Sequence, residues 1–377
     1  MQDIVAGRGP DTDDRPARPG RIVSLDVVRG VLLVVSVAVA SLIAPKPEQL
    51  VHAPWIGVRA VDLVFPLFVT LSGCGLAFAY RNQVGWWATL RRSLVLLVVG
   101  LAYMAVVTQT VDPSRFKVTG PLQVYAVLVL VIGLLHRVAR GPAAWLVVTV
   151  VAAGAQVLLL TWSQAGCPGD VLTPACNPSR SIDFAVFGTS HVYVSGELGH
   201  DPEGIPSMLG AFVTASVGVT AGHLALAARG SRLGWLRLVV WAGVVAGAAL
   251  ATAEVLPAMK RLWTTPFGLG VAALGVLLMA VSMALLDRPS SSGDHAVRDR
   301  WVWPLVALGR NSLLVYFGSH VVMDVLSVNG GDPSWAVQLA DRVDVLGDPR
   351  LGLVGLMLVV WLTISGLLHW RRIYLRP

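Results

Sequence analysis

Long apolar runs recur along almost the whole chain, and they constrain its fold more than any other feature. Hydrophobic residues make up 55% of the 377 residues and charged residues only 14%, whereas soluble proteins carry about 25% charged residues. A helix of about 20 mostly apolar residues can cross a bilayer, and in lipid only helices or a closed barrel satisfy the backbone. Because the runs are continuous rather than alternating, they exclude the barrel. The sequence therefore predicts an all-α, polytopic membrane helical bundle.

The apolar runs divide the chain into about ten predicted transmembrane helices. Residues 1–20 are rich in Asp, Arg, Pro and Gly and are expected to form a disordered cytoplasmic tail, so that the transmembrane domain covers 21–377. A long acidic loop at about 163–204 is interpreted as a folded external lid, and a cytoplasmic linker at about 287–300 is expected to be solvated. The helices are expected near residues 26–44, 58–80, 90–110, 120–137, 142–162, 205–228, 234–254, 263–286, 302–325 and 350–370.

The distribution of basic residues predicts the orientation of the bundle. If the N-terminus is cytoplasmic, the cytoplasmic segments carry 18 Lys and Arg residues and the outer segments carry 9, with two more inside helices. Because basic residues favour the cytoplasmic side, both termini are predicted to lie there. The net charge of +7 then reflects topology and does not indicate nucleic-acid binding. Residues 21–40 also resemble a signal peptide, but their apolar stretch is long for one, which favours a retained helix.

His52 stands between two long apolar runs, at the end of the bundle that the charge distribution places outside. A neutral imidazole can serve as a base or as a nucleophile in acyl transfer. Asp62 lies ten residues further on and could orient the ring and stabilise its protonated form. The candidate donors to a developing oxyanion are the indole N–H of Trp55, which lies between them, and backbone N–H groups. This segment is the predicted catalytic centre.

Other polar residues lie where a membrane protein tolerates few. Arg310 and Asn311 fall well inside the ninth apolar run, and an intramembrane Arg usually faces a polar cavity. A phosphate-bearing anion that enters from the cytoplasm would suit this position; the alternative is an ion pair with Asp26 inside the bundle. Asp26 and Arg29 are spaced i, i+3 and can also pair with each other, as a structural bridge or as part of a site.

The cysteines and histidines do not form a metal-binding pattern, and no metal site is predicted. Cys167 and Cys176 lie in the long outer loop, where the environment permits a disulfide, so the alternatives are a bridge and two free thiols. Cys74 falls within the second apolar run and is expected to be a packing residue.

Several short motifs, each weak alone, recur along the chain after residue 20. They are Arg21–Gly30, His52–Gly57, Asp62–Pro66, Gly120–Gln123, Asp201–Gly204, Lys260–Phe267 and Leu308–Ser312. In order and spacing they resemble the catalytic core of the heparan-α-glucosaminide N-acetyltransferase family, and the resemblance spans nearly the whole chain after residue 20.

The resemblance implies a transmembrane acetyltransferase in the cell membrane. Such a protein moves an acetyl group from cytoplasmic acetyl-CoA to an amino sugar or envelope glycan on the outer side, and a homodimer is a further expectation. The family's catalytic histidine falls on His52, with Asp62 as its partner. The expected acetyl-CoA contacts are Arg310, Asn311 and Arg29. The expected substrate contacts are Trp55, Asp201, Glu203 and Trp263.

Two positions depart from the family pattern and leave the acceptor open. Ser41 and Ile56 stand where the family commonly has Asn, so two amide groups near the predicted centre are missing. N- and O-acetylation both remain open, as do an acetyl-histidine intermediate and direct transfer. A transporter or flippase for a sugar or sugar-lipid is an alternative of another class, and it would not need His52. A scaffold would explain none of the polar residues at depth.

Overall fold

The computed structural model describes residues 22–82, 84–228, 231, 233–287, 292–344 and 347–374. The predicted disordered tail, residues 1–20, lies outside them. Within the described residues all regular secondary structure is helical. Besides short 3-10 turns, the helices are α1 (Val23–Ser41), α2 (Val64–Ala79), α3 (Trp86–Val107), α4 (Pro121–Leu135), α5 (Pro142–Ala165), α6 (Pro178–Phe187), α7 (Ile205–Ala227), α8 (Gly234–Ala253), α9 (Thr265–Leu286), α10 (Ser292–Arg310), α11 (Ser312–Val328), α12 (Trp335–Arg342) and α13 (Pro349–Trp370).

Each of the ten predicted segments contains a helix, and the chain is a multi-pass membrane protein. In the described part of the chain, eight helices are long and apolar enough to cross a membrane: α1, α2 with the turn before it, α3, α5, α7, α8, α9 and α13. The ninth predicted segment is broken instead, because α10 and α11 meet at a bend of 75°. Helix α4 has 15 residues. At about 1.5 Å per residue it is shorter than a hydrocarbon core of about 30 Å.

The predicted cytoplasmic linker at about 287–300 is helical in its second part. Residues 292–300 form the first half of α10, while residues 288–291 lie outside the described part. Once the apolar second half of α10 is anchored in the bundle, adding further residues to the helix costs little, so the polar flank continues it.

Helix α7 is the centre of the bundle and packs against α2, α5 and α9. The contact with α2 is a backbone contact. A Cβ on Gly73 would collide with the carbonyl of Ala215, and a Cβ on Gly218 would collide with the carbonyl of Thr70. Small residues allow such close approach between membrane helices, where van der Waals packing is the main attraction.

The loop predicted as a lid is folded. It contains α6, whose first turn is capped by the Asn177 side chain, which accepts from the N–H of Arg180 at 2.9 Å. Cys167 and Cys176 form a disulfide. The lid joins α5 to α7, and it meets the connection from α1 to α2 and the connection from α8 to α9 at the same end of the bundle.

Candidate active site

His52 and Asp62 form a hydrogen-bonded pair at this end. The chain after α1 returns to the bundle through the turn Ala60–Leu63, which leads into α2. The Asp62 side chain in this turn is 0% exposed, whereas that of His52 is 48% exposed, and Nδ1 of His52 lies 2.7 Å from Oδ1 of Asp62. The backbone N–H groups of Arg59 and Ala53 donate to Oδ2 at 2.9 and 3.3 Å. One carboxylate therefore holds both the turn and the imidazole.

The pairing fixes the role of each imidazole nitrogen. Asp62 acts as an acceptor for every group around it, so Nδ1 of His52 donates and carries a proton. In the neutral ring the lone pair then lies on Nε2. No described residue hydrogen-bonds to Nε2. A carboxylate–imidazole pair of this kind orients a base and stabilises its protonated form.

The connection between α8 and α9 supports the loop that joins α1 to α2, residues 42–63, which we call the His52 loop. Nε of Arg261 donates to the carbonyl of Ala53 at 3.0 Å. The N–H of Gly57 donates to the carbonyl of Ala258 at 3.2 Å, and Gly57 also pairs with Met259. Gly57 has a φ of 98°, a left-handed conformation that favours glycine. Residues 258–261 therefore lie alongside the His52 loop.

Trp55 joins the His52 loop to the lid. Its indole N–H donates to the carbonyl of Leu172 at 2.9 Å, inside the stretch that the Cys167–Cys176 disulfide closes. Its ring contacts His200 edge to face, with 5.1 Å between the ring centroids. Because this N–H is already bonded, the structure does not support the predicted role of Trp55 as an oxyanion donor.

Trp263 lies beneath the site and is only 1% exposed. Its indole N–H donates to the hydroxyl of Thr214 at 2.9 Å, and its carbonyl accepts from the side chain of Gln156 at 2.8 Å. These buried bonds hold a backbone φ of 46°, which a residue other than glycine rarely adopts. The predicted substrate contact is not available in this conformation, since the indole is enclosed.

Asp201 belongs to the framework of the lid and is fully buried. The hydroxyl of Thr119 and the N–H of Tyr193 donate to Oδ2 at 2.6 and 2.9 Å, and the N–H of Glu203 donates to Oδ1 at 2.9 Å. Burial raises the pKa of Asp201, and the nearby Lys117 opposes that effect. Both carboxylate oxygens therefore accept hydrogen bonds within the protein, and one of these bonds holds the backbone of Glu203.

Glu203 carries an ionised carboxylate close to His52. Nζ of Lys117 lies 2.9 Å from Oε2 of Glu203, and their side chains are only 9% and 14% exposed. Burial raises the pKa of Glu203, but the charge of Lys117 and then those of Lys260 and His52 lower it, and the net shift is downward. An anionic carboxylate at this position can bind a cationic amine.

Aromatic rings from three helices meet one helical turn beyond Asp62. Phe65 of α2 contacts Tyr125 of α4 and Tyr316 of α11, with ring centroids 5.7 and 6.2 Å away. All three rings are half-buried. They lie on the side of the pair that faces the interior of the bundle.

Arg310 lies at the opposite end of α1. Helix α10 crosses α1 so closely that Gly309 lies against the backbone of Asp26. The guanidinium of Arg310 lies over the ring of Tyr374, 3.5 Å from its centroid. Between Asp26 and Ser41, α1 rises about 22 Å at 1.5 Å per residue. The structure therefore separates Arg310 from His52 by most of the bundle's thickness.

Arg29 and Asn311 differ in their access to a ligand. Nη2 of the half-buried Arg29 donates to the carbonyl of Leu71 on α2 at 2.8 Å. Asn311 is fully buried at the break between α10 and α11, and its amide donates to the carbonyl of Ala307 at 3.2 Å. A buried amide at a helix break is enclosed by protein, so the predicted acetyl-CoA contact through Asn311 is not available in this conformation.

The two departures from the family pattern supply no polar contact to His52. Ser41 is fully buried at the end of α1, and its hydroxyl has no hydrogen-bond partner among the described residues. Ile56 is 55% exposed on the surface of the His52 loop. The amides that the family pattern leads one to expect therefore have no replacement at these positions.

Lys117 and Lys260 are two residues near His52 that sequence analysis did not select. The chain has 29 basic residues, of which only Lys46, Lys117 and Lys260 are lysines, and all three lie in predicted outer segments. The other basic residues of the chain are arginines. The restriction of lysine to the predicted outer segments was therefore a sequence signal that could have pointed to these positions. In the part of the chain that the structure describes, no cluster of His, Cys, Asp and Glu could hold a metal ion.

Comparisons with known proteins agree with the geometry. A family model described as the catalytic part of heparan-alpha-glucosaminide N-acetyltransferase matches residues 21–172, which include His52 and Asp62. The human protein of that name is 24% identical over 83% of this chain and 54% of its own length. The mouse protein is 21% identical over 85% of this chain and 56% of its own length. The chain thus spans about half the length of the curated relatives it matches. By these matches, the chain is similar to heparan-alpha-glucosaminide N-acetyltransferases over most of its own length.

Proposed function

We propose that this chain is a transmembrane acetyltransferase of the cell membrane. It moves an acetyl group from acetyl-CoA on the cytoplasmic side to an amino sugar or an amino-bearing envelope glycan on the outer side. The observation that carries the proposal is the His52–Asp62 pair, 2.7 Å apart, in a loop between membrane helices. The name of the matched family model and the names of the relatives support the reaction type.

His52 acts as the general base in direct transfer. Its Nε2 accepts a proton from the acceptor amine while the nitrogen lone pair forms a bond to the acetyl carbon and the C=O π electrons move to oxygen. The C–S bond then breaks as C=O re-forms, and His52 returns the proton to the leaving thiolate. Asp62 holds the Nδ1–H tautomer and balances the imidazolium charge between these steps.

The acceptor binds beside Glu203. An amino sugar is largely an ammonium ion at neutral pH, and the ionised carboxylate of Glu203 attracts it to the vicinity of His52. The bound ammonium ion releases one proton to water before the transfer, so that the neutral amine attacks with its lone pair and His52 accepts only the second proton. Lys117 holds that carboxylate in place through the 2.9 Å ion pair. The apolar surface of Ile56 and the absence of an amide at Ser41 leave Glu203 as the main polar determinant for the amine.

Acetyl-CoA reaches His52 from the cytoplasmic side, through the interior of the bundle. In this arrangement the phosphates bind at the cytoplasmic end, near Arg310 and Arg29, and the long pantetheine chain passes the rings of Phe65, Tyr125 and Tyr316. Acetyl-CoA carries its thioester at the end of this chain, far from the phosphates. The path between the two ends of the bundle is at least as long as the rise of α1 from Asp26 to Ser41, about 22 Å. A long molecule with its reactive group and its phosphates at opposite ends suits such a path.

The test uses purified protein in liposomes whose cytoplasmic side faces outward. Labelled acetyl-CoA is added outside and glucosamine is enclosed, so wild-type protein should produce labelled N-acetylglucosamine inside. His52→Ala should lower the rate by about 10²- to 10⁴-fold, the usual contribution of a general base. His191→Ala is a matched control, because His191 is another histidine of the predicted outer loops and, among the described residues, its side chain is hydrogen-bonded only to the carbonyl of Phe116.

Two outcomes contradict the proposal. Equal labelling by wild type and His52→Ala removes His52 from the reaction. Movement of labelled glucosamine across the membrane without acetylation, unchanged in His52→Ala, indicates a transporter instead.

A further inference from the structure

Lys260 lies next to the His52 loop but is not explained by the fold. Its neighbours in the chain, Met259 and Arg261, are joined to Gly57 and to Ala53 respectively. Its backbone carbonyl accepts from the N–H of a residue three positions further on, which closes a turn. Its side chain is only half-buried, although the segment that carries it is enclosed between the loops of the site.

The ammonium group of Lys260 has charged neighbours but no direct partner. Its charge interacts with the carboxylates of Glu203 and Asp62, and it adjoins the positive charges of Arg261 and Lys117. Among the described residues, no carboxylate lies within 4.0 Å of its Nζ and no acceptor is hydrogen-bonded to it, in contrast to Lys117. Burial lowers the pKa of Lys260, which is the expected effect on a cation that is enclosed and incompletely paired.

Two indole donors of the site are already engaged, and Arg261 uses its Nε to hold the carbonyl of Ala53. The indole N–H of Trp55 is bonded to Leu172, and that of Trp263 is bonded to Thr214. These indoles therefore cannot meet new negative charge without breaking a bond. A group that is free to donate and already in position stabilises a transition state without that cost.

We propose that Lys260 is a catalytic residue that stabilises the negative charge on the acetyl carbonyl oxygen during transfer. This inference rests on the proposed acetyltransferase function. The charge arises when the acceptor nitrogen bonds to the acetyl carbon and the C=O π electrons move to oxygen, and it disappears when the C–S bond breaks and C=O re-forms. Nζ–H of Lys260 donates to that oxygen throughout, and no proton leaves the lysine.

The charge of Lys260 excludes two other roles near His52. A cation repels the ammonium form of an amino sugar, so Lys260 does not bind the amine that Glu203 attracts. The phosphates of acetyl-CoA are placed at the opposite end of α1, about 22 Å away by the rise of that helix. Two other negative charges develop in the reaction, on the acetyl oxygen and on the leaving thiolate. Because His52 protonates the thiolate, the acetyl oxygen is the charge that Lys260 stabilises.

The central experiment compares Lys260→Met and Lys260→Arg with wild type in the liposome assay. Methionine keeps the length and removes the charge, and it should lower kcat by about 10²- to 10³-fold, as the loss of an oxyanion donor does. The Michaelis constants for acetyl-CoA and glucosamine should stay within about threefold, because the interaction forms only in the transition state. Arginine keeps the charge and its donors and should retain at least tenfold more activity than methionine.

Two controls separate the possible causes. Arg115→Met removes an exposed positive charge from another outer loop and should leave kcat unchanged. Binding of the unreactive ketone analogue S-acetonyl-CoA, measured by calorimetry, reports whether each variant is folded with an intact donor site. Wild-type protein that transfers no acetyl group refutes the proposed function as a whole, whereas an active wild type tests Lys260 alone.

Three results overturn the role of Lys260. These are a kcat for Lys260→Met within threefold of wild type, a loss that appears only as a higher Michaelis constant for glucosamine, and equal loss in Lys260→Arg and Lys260→Met while both still bind the analogue. If Lys260→Met fails to bind the analogue, Lys260→Arg decides: activity within tenfold of wild type supports the role, and activity more than 10²-fold lower rejects it.

Discussion

Replacing Asp62 with Asn tests whether the orientation of His52 is what the carboxylate supplies. The side chain of Asp62 has two separate tasks, one for each oxygen. Oδ2 accepts from the backbone N–H groups of Arg59 and Ala53, while Oδ1 accepts from His52. Asn keeps one carbonyl oxygen for the backbone donors and presents an NH₂ group to the imidazole. The loop can therefore persist while the hydrogen bond to His52 is reversed.

The size of the effect follows from this division. An NH₂ group facing Nδ1 favours the tautomer that carries its proton on Nε2, where the base needs a lone pair. Reversal of an equivalent bond in serine proteases lowers kcat by about 10⁴-fold. We expect a decrease of about 10³- to 10⁴-fold for Asp62→Asn, which corresponds to roughly 4–5.5 kcal/mol in the barrier. Asp62→Ala would also leave two backbone donors unpaired, at about 1–3 kcal/mol each, and so confounds folding with catalysis.

The measurement is kcat for acetyl transfer at saturating acetyl-CoA and glucosamine, together with the thermal transition of each variant in detergent. Asp62→Asn should melt within a few degrees of wild type and still bind S-acetonyl-CoA. A folded, analogue-binding Asp62→Asn whose kcat lies within tenfold of wild type would show that the tautomer of His52 does not limit the reaction. The role of the pair would then be structural only.

Two further predictions concern the lid. Burial raises the pKa of Asp183 to about 6, above its usual 3.8, so the folded lid takes up a proton as the pH falls through 6 and the free energy of unfolding rises down to about pH 4. Asp183→Asn should remove this part of the gain, measured as a smaller increase in melting temperature between pH 7.5 and 5; an increase equal to that of wild type would contradict it. Replacing both Cys167 and Cys176 with Ala should lower the free energy of unfolding of the lid by about 2.5 kcal/mol, the loop-closure value for a separation of nine residues. Lower protection of the Leu172 region in hydrogen exchange would confirm the change, and unaltered protection would contradict it.

The positions of the transmembrane segments could be predicted because apolar length is a local property of the sequence. The break between α10 and α11 was not predicted, because the polar stretch from Gly309 to Ser312 interrupts the apolar run but does not specify a bend. The 75° bend depends on how α10 packs against α1, where Gly309 meets the backbone of Asp26. That contact joins residues nearly the whole chain apart, and no local pattern encodes it.

In the candidate site, too, contacts between residues close in the sequence could be predicted, whereas contacts between distant residues could not. His52 and Asp62 are close in the sequence, so their pairing could be predicted from spacing and chemistry. The partner of Trp55 is a backbone carbonyl 117 positions away, and backbone carbonyls carry no sequence signal. Lys260 lies 208 positions from His52 and was known only as part of a motif. Its free ammonium group became apparent only when the bonds of its neighbours were known.

The interlocking of three distant connections around His52 limits how the site can be transplanted or diversified. The loop after α1 is tied to the lid through Trp55 and Leu172, and to the connection before α9 through Ala53 and Arg261. A graft of the first loop alone would bring the imidazole without the groups that hold it. Natural or engineered variation in acceptor choice should therefore appear as coordinated exchange of all three loops, with the helices below them left unchanged.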